Sequence, residues 1–176
     1  MDRKLTTIVA MDVVGYSRLM ELDEAGTLER LKDIRATIID PAVARNDGRT
    51  VKLMGDGALL EFGSVVGALQ SAVDIQRNLA ARNGSADFKN SLHLRVGIHL
   101  GDIIVENGDI YGDAVNVAAR LESIAEPGGI VLSKQVHDHI GANVPVRFVS
   151  LGEQSVKNIS RPIHAYHVEW STEIAA

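Results

Sequence analysis

The order in which two hydrophobic periodicities follow one another constrains the fold of this chain most. The stretch Leu92 to Leu100 (LHLRVGIHL) has apolar residues at every second position, which predicts a strand with one buried face. From Ser17 to about Arg45, and again from Val65 to Leu79, apolar residues recur three or four apart, which predicts amphipathic helices. The stretch Leu5 to Val14 is rich in β-branched residues and predicts a buried strand.

A tight hairpin is predicted between the two helices. The stretch Thr50 to Gly63 (TVKLMGDGALLEFG) has two short apolar runs around Gly55, Asp56 and Gly57, a pattern typical of two strands joined by a short turn. The elements then follow the order strand, helix, strand, strand, helix, strand, which is that of a ferredoxin-like βαββαβ core. We therefore expect an α+β fold, with an antiparallel sheet and helices packed on it.

The rest of the chain is expected to extend this core with C-terminal strands and helices. A length of 176 residues suits one hydrophobic core, so we expect a single domain over residues 1–176. The polar stretch from Ala80 to Asn90 predicts a loop. The further elements are expected as strands at Ile103–Val105, Ile130–Leu132, Val146–Leu151 and His164–Val168, and as helices at Asp113–Ile124 and Lys134–Ile140.

Composition and charge restrict the partners of the chain. The net charge is -5 and the basic residues are scattered among acids, which argues against binding of long DNA or RNA. No apolar run approaches the roughly 20 residues of a membrane-spanning helix, so we expect no membrane segment. The chain contains no cysteine, which excludes disulfides and thiolate metal sites. A cytoplasmic location is the expectation.

Two aspartates occupy places that packing does not favour. Asp12 lies inside an otherwise apolar strand, and Asp56 lies at the glycine-flanked tip of the hairpin. A buried carboxylate costs several kcal/mol unless it is paired or bound to metal. In a ferredoxin-like core the first strand and this hairpin are neighbours, so the two carboxylates could together hold divalent cations. Taken singly, each has a structural explanation as a turn residue, since Asp-Gly is common in hairpins.

Two further pairs of residues could contact a nucleotide. Asn116 and Arg120 lie four apart on a predicted helix, where an amide and a guanidinium would suit a ribose oxygen and a phosphate. Alone, such residues are usually only solvated. Lys52 and Asp109 could read a purine by donating to ring N1 and accepting from the exocyclic amine, which fits adenine and not guanine. Lys52 and Asp56 are expected on one side of an extended strand, about 13 Å apart, which suggests separate tasks.

The chain resembles the class III adenylate and guanylate cyclase catalytic domain. The resemblance extends from Ile8 to about Val168 and is carried by four stretches in order: VAMDVVGYSRL, VKLMGDGALLEF, LRVGIHLGDII and DIYGDAVNVAARLES. It implies an adenylate cyclase that converts ATP into 3′,5′-cyclic AMP and pyrophosphate with two Mg²⁺ or Mn²⁺ ions per site. It also implies a homodimer, in which one subunit supplies the metal aspartates and its partner supplies the other site residues.

The resemblance assigns the metal and base contacts to particular positions. It implies that Asp12 and Asp56 are metal ligands, with the Val13 carbonyl as an additional ligand. It implies that Lys52 and Asp109 select the base. Relatives that use GTP commonly carry Glu and Cys at those two positions, so this pair implies ATP.

The same resemblance assigns residues to the ribose and the phosphates. It implies that Asn116 orients the ribose and that Arg120 stabilises the pentacovalent phosphorus. Backbone N–H groups near the start of the first helix are expected to cradle phosphate oxygens, because helix starts present free donors. These are the N–H groups of Val14, Gly15 and Tyr16.

One departure from the family pattern bears on phosphate binding, and two other functions remain open. Some relatives have a phosphate-contacting Arg where Asp102 stands, which leaves pyrophosphate binding short of one cation; Lys157 could supply it, or could be a solvated loop lysine. The first alternative function is a catalytically weak or silent module of the same fold that binds nucleotide or only dimerises. The second is a diguanylate cyclase, whose GGDEF hairpin is only faintly echoed by MGDGALLEF.

Overall fold

The computed structural model describes residues 2–84, 91–141 and 144–170. In chain order its elements are β1 (Asp2–Val13), α1 (Tyr16–Leu22), α2 (Glu24–Ile34), a π-helical turn (Arg35–Ile39), α3 (Asp40–Arg45), β2 (Gly48–Met54), β3 (Gly57–Phe62), α4 (Val65–Asn83), β4 (Leu94–Glu106), β5 (Asp109–Tyr111), α5 (Asp113–Ser123), β6 (Ile130–Ser133), α6 (Lys134–Ile140), β7 (Arg147–Gln154) and β8 (Ile163–Glu169).

The strands form one mixed sheet that contains the predicted core. Its order is β2-β3-β1-β4-β6-β8-β7, with β5 paired to β4. The first four strands in this order are antiparallel neighbours, as in a ferredoxin-like unit, so the predicted α+β fold is confirmed. The C-terminal extension adds a parallel contact between β4 and β6, with Val96 opposite Ile130. Helix α5 makes the crossover that a parallel pair requires.

β1 lies in the middle of the core and is buried on both faces. Val9 and Met11 pack in a large apolar cluster with residues of α2, α3 and α4. Ile8 and Ala10 point the other way and pack with Leu59 and with residues of β5 and α5. We call this second side of the sheet the α5 face.

Helix α5 approaches the sheet closely because β4 carries a glycine at the contact. A methyl group placed on Gly97 would lie 2.3 Å from the backbone nitrogen of Glu122 and 2.4 Å from the carbonyl oxygen of Ala118. Gly97 lies directly opposite Ala10 of β1, another small residue. The last turns of α5 therefore rest almost directly on the centre of the sheet.

The predicted helix from Ser17 to Arg45 is interrupted, which corrects the expectation of one continuous element. Asp23 leaves the helical conformation, and its carboxylate accepts a hydrogen bond from the Gly26 N–H at 3.0 Å, so it begins a new helix. Further on, a π-helical turn precedes Pro41. Proline has no N–H to donate, and a wider turn accommodates that missing hydrogen bond.

Other boundaries also differ from the prediction. The strands expected at Leu92–Leu100 and Ile103–Val105 are one strand, β4, because β1 pairs with it continuously from Asp2 to Val13. Helix α4 continues through the first residues of the predicted loop and ends at Asn83, before Gly84, whose φ is 53°. The rest of that loop, residues 85–90, lies outside the described residues. Within the described ranges, none of the helices is long and apolar enough to cross a membrane.

We predict that Gly97→Ala strongly destabilises the protein. The added methyl group would meet backbone atoms of α5, which cannot rotate away, so we expect a loss of about 2 kcal/mol or more. Thermal unfolding should show a midpoint lower by about 4 to 8 °C. Gly63→Ala is the matched control, because no atom lies within 4 Å of a methyl group at that position. Equal melting temperatures for the two variants would contradict the close helix contact.

Candidate functional site

Lys52 and Asp109 form a direct ion pair. The Lys52 ammonium lies 3.2 Å from each oxygen of the Asp109 carboxylate, although the residues are 57 positions apart. The Ile110 N–H donates to the same carboxylate at 2.7 Å, and this hydrogen bond, together with Lys52, lowers the pKa of Asp109. The Tyr111 ring lies 5.9 Å from the ammonium. The pair therefore presents a cationic donor beside an ionised acceptor, as reading of a purine edge would require.

A β-bulge in β2 sets the direction of Lys52. Thr50 pairs with Leu60 and Lys52 pairs with Leu59, so Val51 is an extra residue without its own partner position. Residues opposite one another in a sheet point to the same face, so Lys52 shares the face of Leu59. This is the α5 face, where β5 and Asp109 also lie.

Asp12 reaches the same face at the end of β1. It lies two residues beyond Ala10 and therefore points to the same side as Ala10. Its Oδ1 atom is buried and, in the described part of the chain, accepts no hydrogen bond. Arg95 lies directly opposite on β4. A buried carboxylate oxygen without a donor has unused capacity for a cation.

Asp56 lies beside Asp12 at the predicted hairpin tip. Gly55 and Asp56 form the turn between β2 and β3, and Gly55 adopts a φ of 58°, which favours glycine. The Arg35 guanidinium donates to the Gly55 carbonyl at 3.1 Å and ties the tip to the helical layer. A methyl group on Gly57 would lie 3.7 Å from Cβ of Asp12. The hairpin therefore brings its acidic tip to the end of β1, as the sequence predicted.

A third carboxylate, Glu122, joins the two aspartates. Burial raises its pKa well above the ordinary value, and a hydrogen bond to Asp12 and the negative charges of Asp12 and Asp56 raise it further, partly offset by Arg95. Glu122, whose raised pKa favours its protonated form near neutral pH, thus neighbours the two aspartates, and the two aspartate carboxylates are the groups that could hold divalent cations. Within residues 2–84, 91–141 and 144–170, no three metal-ligating side chains are grouped so as to hold an ion.

Asn116 and Arg120 occupy an exposed ridge of α5. The residues between and beside them, Val117, Ala118 and Leu121, are buried against the sheet. Among the described residues, Arg120 forms no ion pair with either aspartate, and the ion pair of Lys52 is with Asp109. One chain therefore presents its aspartate pair and its cationic residues as separate groups.

The residues expected to bind phosphate differ in whether their backbone N–H groups are already engaged. The Val14 N–H donates to the His93 carbonyl at 2.9 Å and so is already engaged, which argues against its predicted role. Gly15 has a φ of 63° and directly precedes α1, which begins at Tyr16. Val13 is the last residue of β1. The roles of Val13, Gly15 and Tyr16 remain predictions.

Asp102 lies away from Asp12 along the sheet, and Lys157 lies in a surface connection. Asp102 is opposite Leu5, seven residues along β1 from Asp12. Lys157 is exposed in the connection between β7 and β8, next to buried Val156. A cavity of about 670 Å³ lies at another edge of the sheet, beside Gly128, His167 and Trp170, and contains none of the candidate residues.

Sequence reasoning missed two groups that support the site. Glu122 follows Ala118 and Leu121 at helical spacing, so an acid on the apolar stripe of α5 was a detectable signal. Arg49 and Glu61 face each other across the hairpin, with Arg49 Nε 2.8 Å from Glu61 Oε1. Their pairing depends on the bulge, which the sequence pattern does not show.

Comparison with known proteins identifies the family to which the chain belongs. The family model described as the adenylate and guanylate cyclase catalytic domain matches residues 3–169. The chain belongs to this family. A Rhizobium meliloti (strain 1021) protein, named provisionally as adenylate cyclase 3, is 44% identical over 96% of this chain and 28% of its own length. The chain therefore spans little more than a quarter of that relative.

Solved cyclase domains share the fold over their whole length. A crystal structure described as an adenylate/guanylate cyclase/hydrolase from Silicibacter pomeroyi has a TM-score of 0.88 at 46% identity, covering 96% of this chain and 98% of that one. An adenylyl cyclase from P. aeruginosa has a TM-score of 0.81 at 25% identity, covering 97% and 96%. The family includes enzymes for both purine nucleotides, so membership alone does not select the base.

We predict that Glu122→Gln flattens the pH dependence of stability. The pKa of Glu122 is raised in the folded chain, from 4.5 to about 9. Protonated Glu122 therefore contributes fully to the free energy of unfolding below pH 4.5, and this contribution is lost as the pH rises towards 9. In EDTA, the free energy of unfolding of wild type should fall by at least about 1.4 kcal/mol more than that of the variant between pH 5 and 9, which is the energy of one pKa unit. Urea unfolding measures this.

The matched control for this prediction is Glu126→Gln, since Glu126 is exposed on the surface just after α5. It should leave the pH profile of wild type unchanged. A Glu122→Gln profile that parallels wild type would mean that Glu122 titrates normally and that the three acids are not crowded.

Proposed function

We propose that the chain is an adenylate cyclase, which converts ATP into 3′,5′-cyclic AMP and pyrophosphate at a site shared by two identical subunits. The observation that carries the proposal is the contact of Lys52 with Asp109 at 3.2 Å on the α5 face. These are the two positions that select the base in the cyclase family, and here they form one donor and acceptor unit.

The ion pair has the hydrogen-bond donor and acceptor that adenine requires. The Lys52 ammonium can only donate, and N1 of adenine accepts. The ionised Asp109 can only accept, and the 6-amino group of adenine donates. Guanine has a donor at N1 and an acceptor at position 6, so both contacts would be mismatched. A site strongly rejects an analogue that would leave its polar groups without matching partners.

The aspartate pair fits divalent cations. Asp12 and Asp56, with the Val13 carbonyl, would hold Mg²⁺ or Mn²⁺, and the buried, unbonded Oδ1 of Asp12 is the observation that supports this. Magnesium in proteins typically takes one or two carboxylates and completes its shell with water and substrate phosphates. Bound ions supply positive charge that lowers the pKa of the ribose 3′-hydroxyl and neutralises the triphosphate.

The remaining residues act on the ribose and the α-phosphate. The 3′ hydroxyl gives its proton to solvent water, the 3′ oxygen forms a bond to the α-phosphorus, and the bond from that phosphorus to the bridging oxygen breaks, so that pyrophosphate leaves with the bond's electrons. Asn116 orients the ribose for this attack. The Arg120 guanidinium stabilises the charge that develops on the phosphoryl oxygens. Gly15, Tyr16 and Lys157 are placed by the proposal at the phosphates.

A shared site accounts for the separation of charges within one chain. Neither Lys52, which pairs with Asp109, nor Arg120, which is exposed on α5, forms an ion pair with Asp12 or Asp56 in the described residues, so both could act on a nucleotide held by the aspartates of a second copy. Met54 and Tyr111 are large apolar side chains exposed near Lys52 and Asp109. Exposed apolar side chains next to a functional site suit a protein interface.

We predict that purified protein forms cyclic AMP from ATP in the presence of Mn²⁺, with little product from GTP. Asp12→Ala should lower the rate by about a hundredfold or more, because the cations lose a ligand. Asp74→Ala should retain activity, since Asp74 lies on α4, on the opposite side of the sheet. Product quantification by mass spectrometry is the measurement. Wild type no more active than Asp12→Ala would establish the silent alternative.

We also predict complementation between two inactive variants. In a mixed dimer of Asp12→Ala and Arg120→Ala, one site combines both defects and the other retains both intact halves. Random subunit exchange should restore up to about a quarter of wild-type activity, since half of the dimers are mixed and each has one good site. Exchange confirmed by native mass spectrometry without any recovery of activity would contradict a shared site.

A further inference from the structure

A buried carboxylate joins three strands beside the base-selecting pair. Glu61 of β3 is almost fully buried on the α5 face, opposite Ile8 of β1. Its oxygens lie 2.9 Å from the Lys4 ammonium and 2.8 Å from Nε of Arg49. Burial alone would raise the pKa of Glu61, but Lys4, Thr6 and Arg49 outweigh it and lower that pKa. Glu61 is therefore an ionised anchor for Arg49.

Arg49 also reaches the turn that precedes Asp109. Its Nη1 donates to the Gly108 carbonyl at 3.3 Å, although the two residues are 59 positions apart. Asn107 and Gly108 have φ values of 52° and 80°, so they form a mirror-image turn between β4 and β5. These two residues set the internal shape of the turn. Arg49 instead connects the turn to β2.

The bulge at Val51 places the Arg49 contact on the same face of the sheet as the base-selecting pair. Arg49 and Lys52 are three positions apart, so in a strand without the bulge their side chains would point to opposite faces of the sheet. With it, both side chains point to the α5 face. Arg49 then contacts Gly108 and Lys52 contacts Asp109, so two consecutive residues of the turn are held by two residues of β2.

Lys52 and Arg49 differ in how firmly each is held. The side chains of Lys52 and Asp109 are 37% and 30% exposed, and an isolated ion pair with that access to water contributes little to stability. Such a pair does not by itself fix the distance between two strands. Arg49 is held by a charge-assisted hydrogen bond to a carboxylate that is only 6% exposed. Arg49 is therefore fixed in place by Glu61, and its Nη1 gives the turn a second attachment to β2 through the Gly108 carbonyl.

We propose that Arg49, anchored by Glu61, is a positioning residue that holds the β4–β5 turn against β2 and so keeps Asp109 at hydrogen-bonding distance from Lys52. Its consequence for selection of adenine rests on the proposed function. Arg49 itself touches neither base nor phosphate in this scheme. Its effect passes through the Gly108 carbonyl to the neighbouring Asp109.

A purely structural role for Arg49 makes a different prediction. Loss of strand stability would lower the activity with ATP and GTP alike. Loss of positioning would weaken the contacts to adenine and leave GTP turnover largely as it was. Arg49→Lys separates the two roles, because a lysine can pair with Glu61 but lacks the planar fork that also reaches the Gly108 carbonyl.

The experiment compares kcat/KM for ATP and GTP, together with melting temperature, in wild type, Arg49→Lys and Arg49→Met. We expect the ATP to GTP ratio to fall about tenfold in both variants, mainly through the KM for ATP, while Arg49→Lys melts close to wild type. Arg45→Met is the matched control, since the partner of Arg45 is Asp74 on α4, on the other side of the sheet. An unchanged ratio in both Arg49 variants would overturn the proposal.

A second measurement does not depend on catalysis. The pKa of the Asp109 carboxyl, followed by carbon NMR, should rise in Arg49→Met because the Lys52 ion pair loosens. It should stay unchanged in Arg45→Met. If wild type forms no cyclic nucleotide but this pKa rises, the positioning role stands and the proposed function fails. If wild type prefers ATP and neither the ratio nor the pKa responds to Arg49, the positioning role fails alone.

Discussion

The confinement of three acids at the end of β1 is the interaction on which the rest of the structure depends. Burial raises the pKa of Glu122, Asp12 and Asp56 raise it further, and Arg95 offsets only part of this shift. Such crowding opposes folding unless positive charge enters from outside. Proteins tolerate this kind of local instability where function uses it. A divalent cation with a polyphosphate would relieve the repulsion, which links the stability of the site to its proposed chemistry.

Helix α5 connects this acidic site to the residues proposed to bind the ribose and the α-phosphate. Its contact with the sheet at Gly97 brings Glu122 to the aspartates of the same chain. The opposite side of the same helix exposes Asn116 and Arg120. One rigid element would therefore support the proposed metal site of its own subunit and, in a dimer, contribute to the site of the other. A backbone contact as close as that at Gly97 leaves little freedom for these groups to drift.

The sequence predicted best those features that local chemistry controls. The hairpin at Gly55 to Gly57 follows from turn preferences, and the alternation in Leu92–Leu100 identified most of β4. Periodicity did not reveal the helix break at Asp23, where a side-chain cap competes with helix continuation. It also could not show the bulge at Val51, because a bulge is a property of register between two strands.

The candidate site was predictable to a similar extent. The resemblance identified Lys52 and Asp109, but their contact depends on a β4–β5 turn that reaches a strand 57 positions away. Crystals grown with Mn²⁺ and an ATP analogue lacking the 3′-hydroxyl test the central claim most directly. Density should show metal at Asp12 and Asp56 of one subunit and adenine between Lys52 and Asp109 of the other. A nucleotide whose base lies away from Lys52 and Asp109, or metal bound elsewhere, would contradict it.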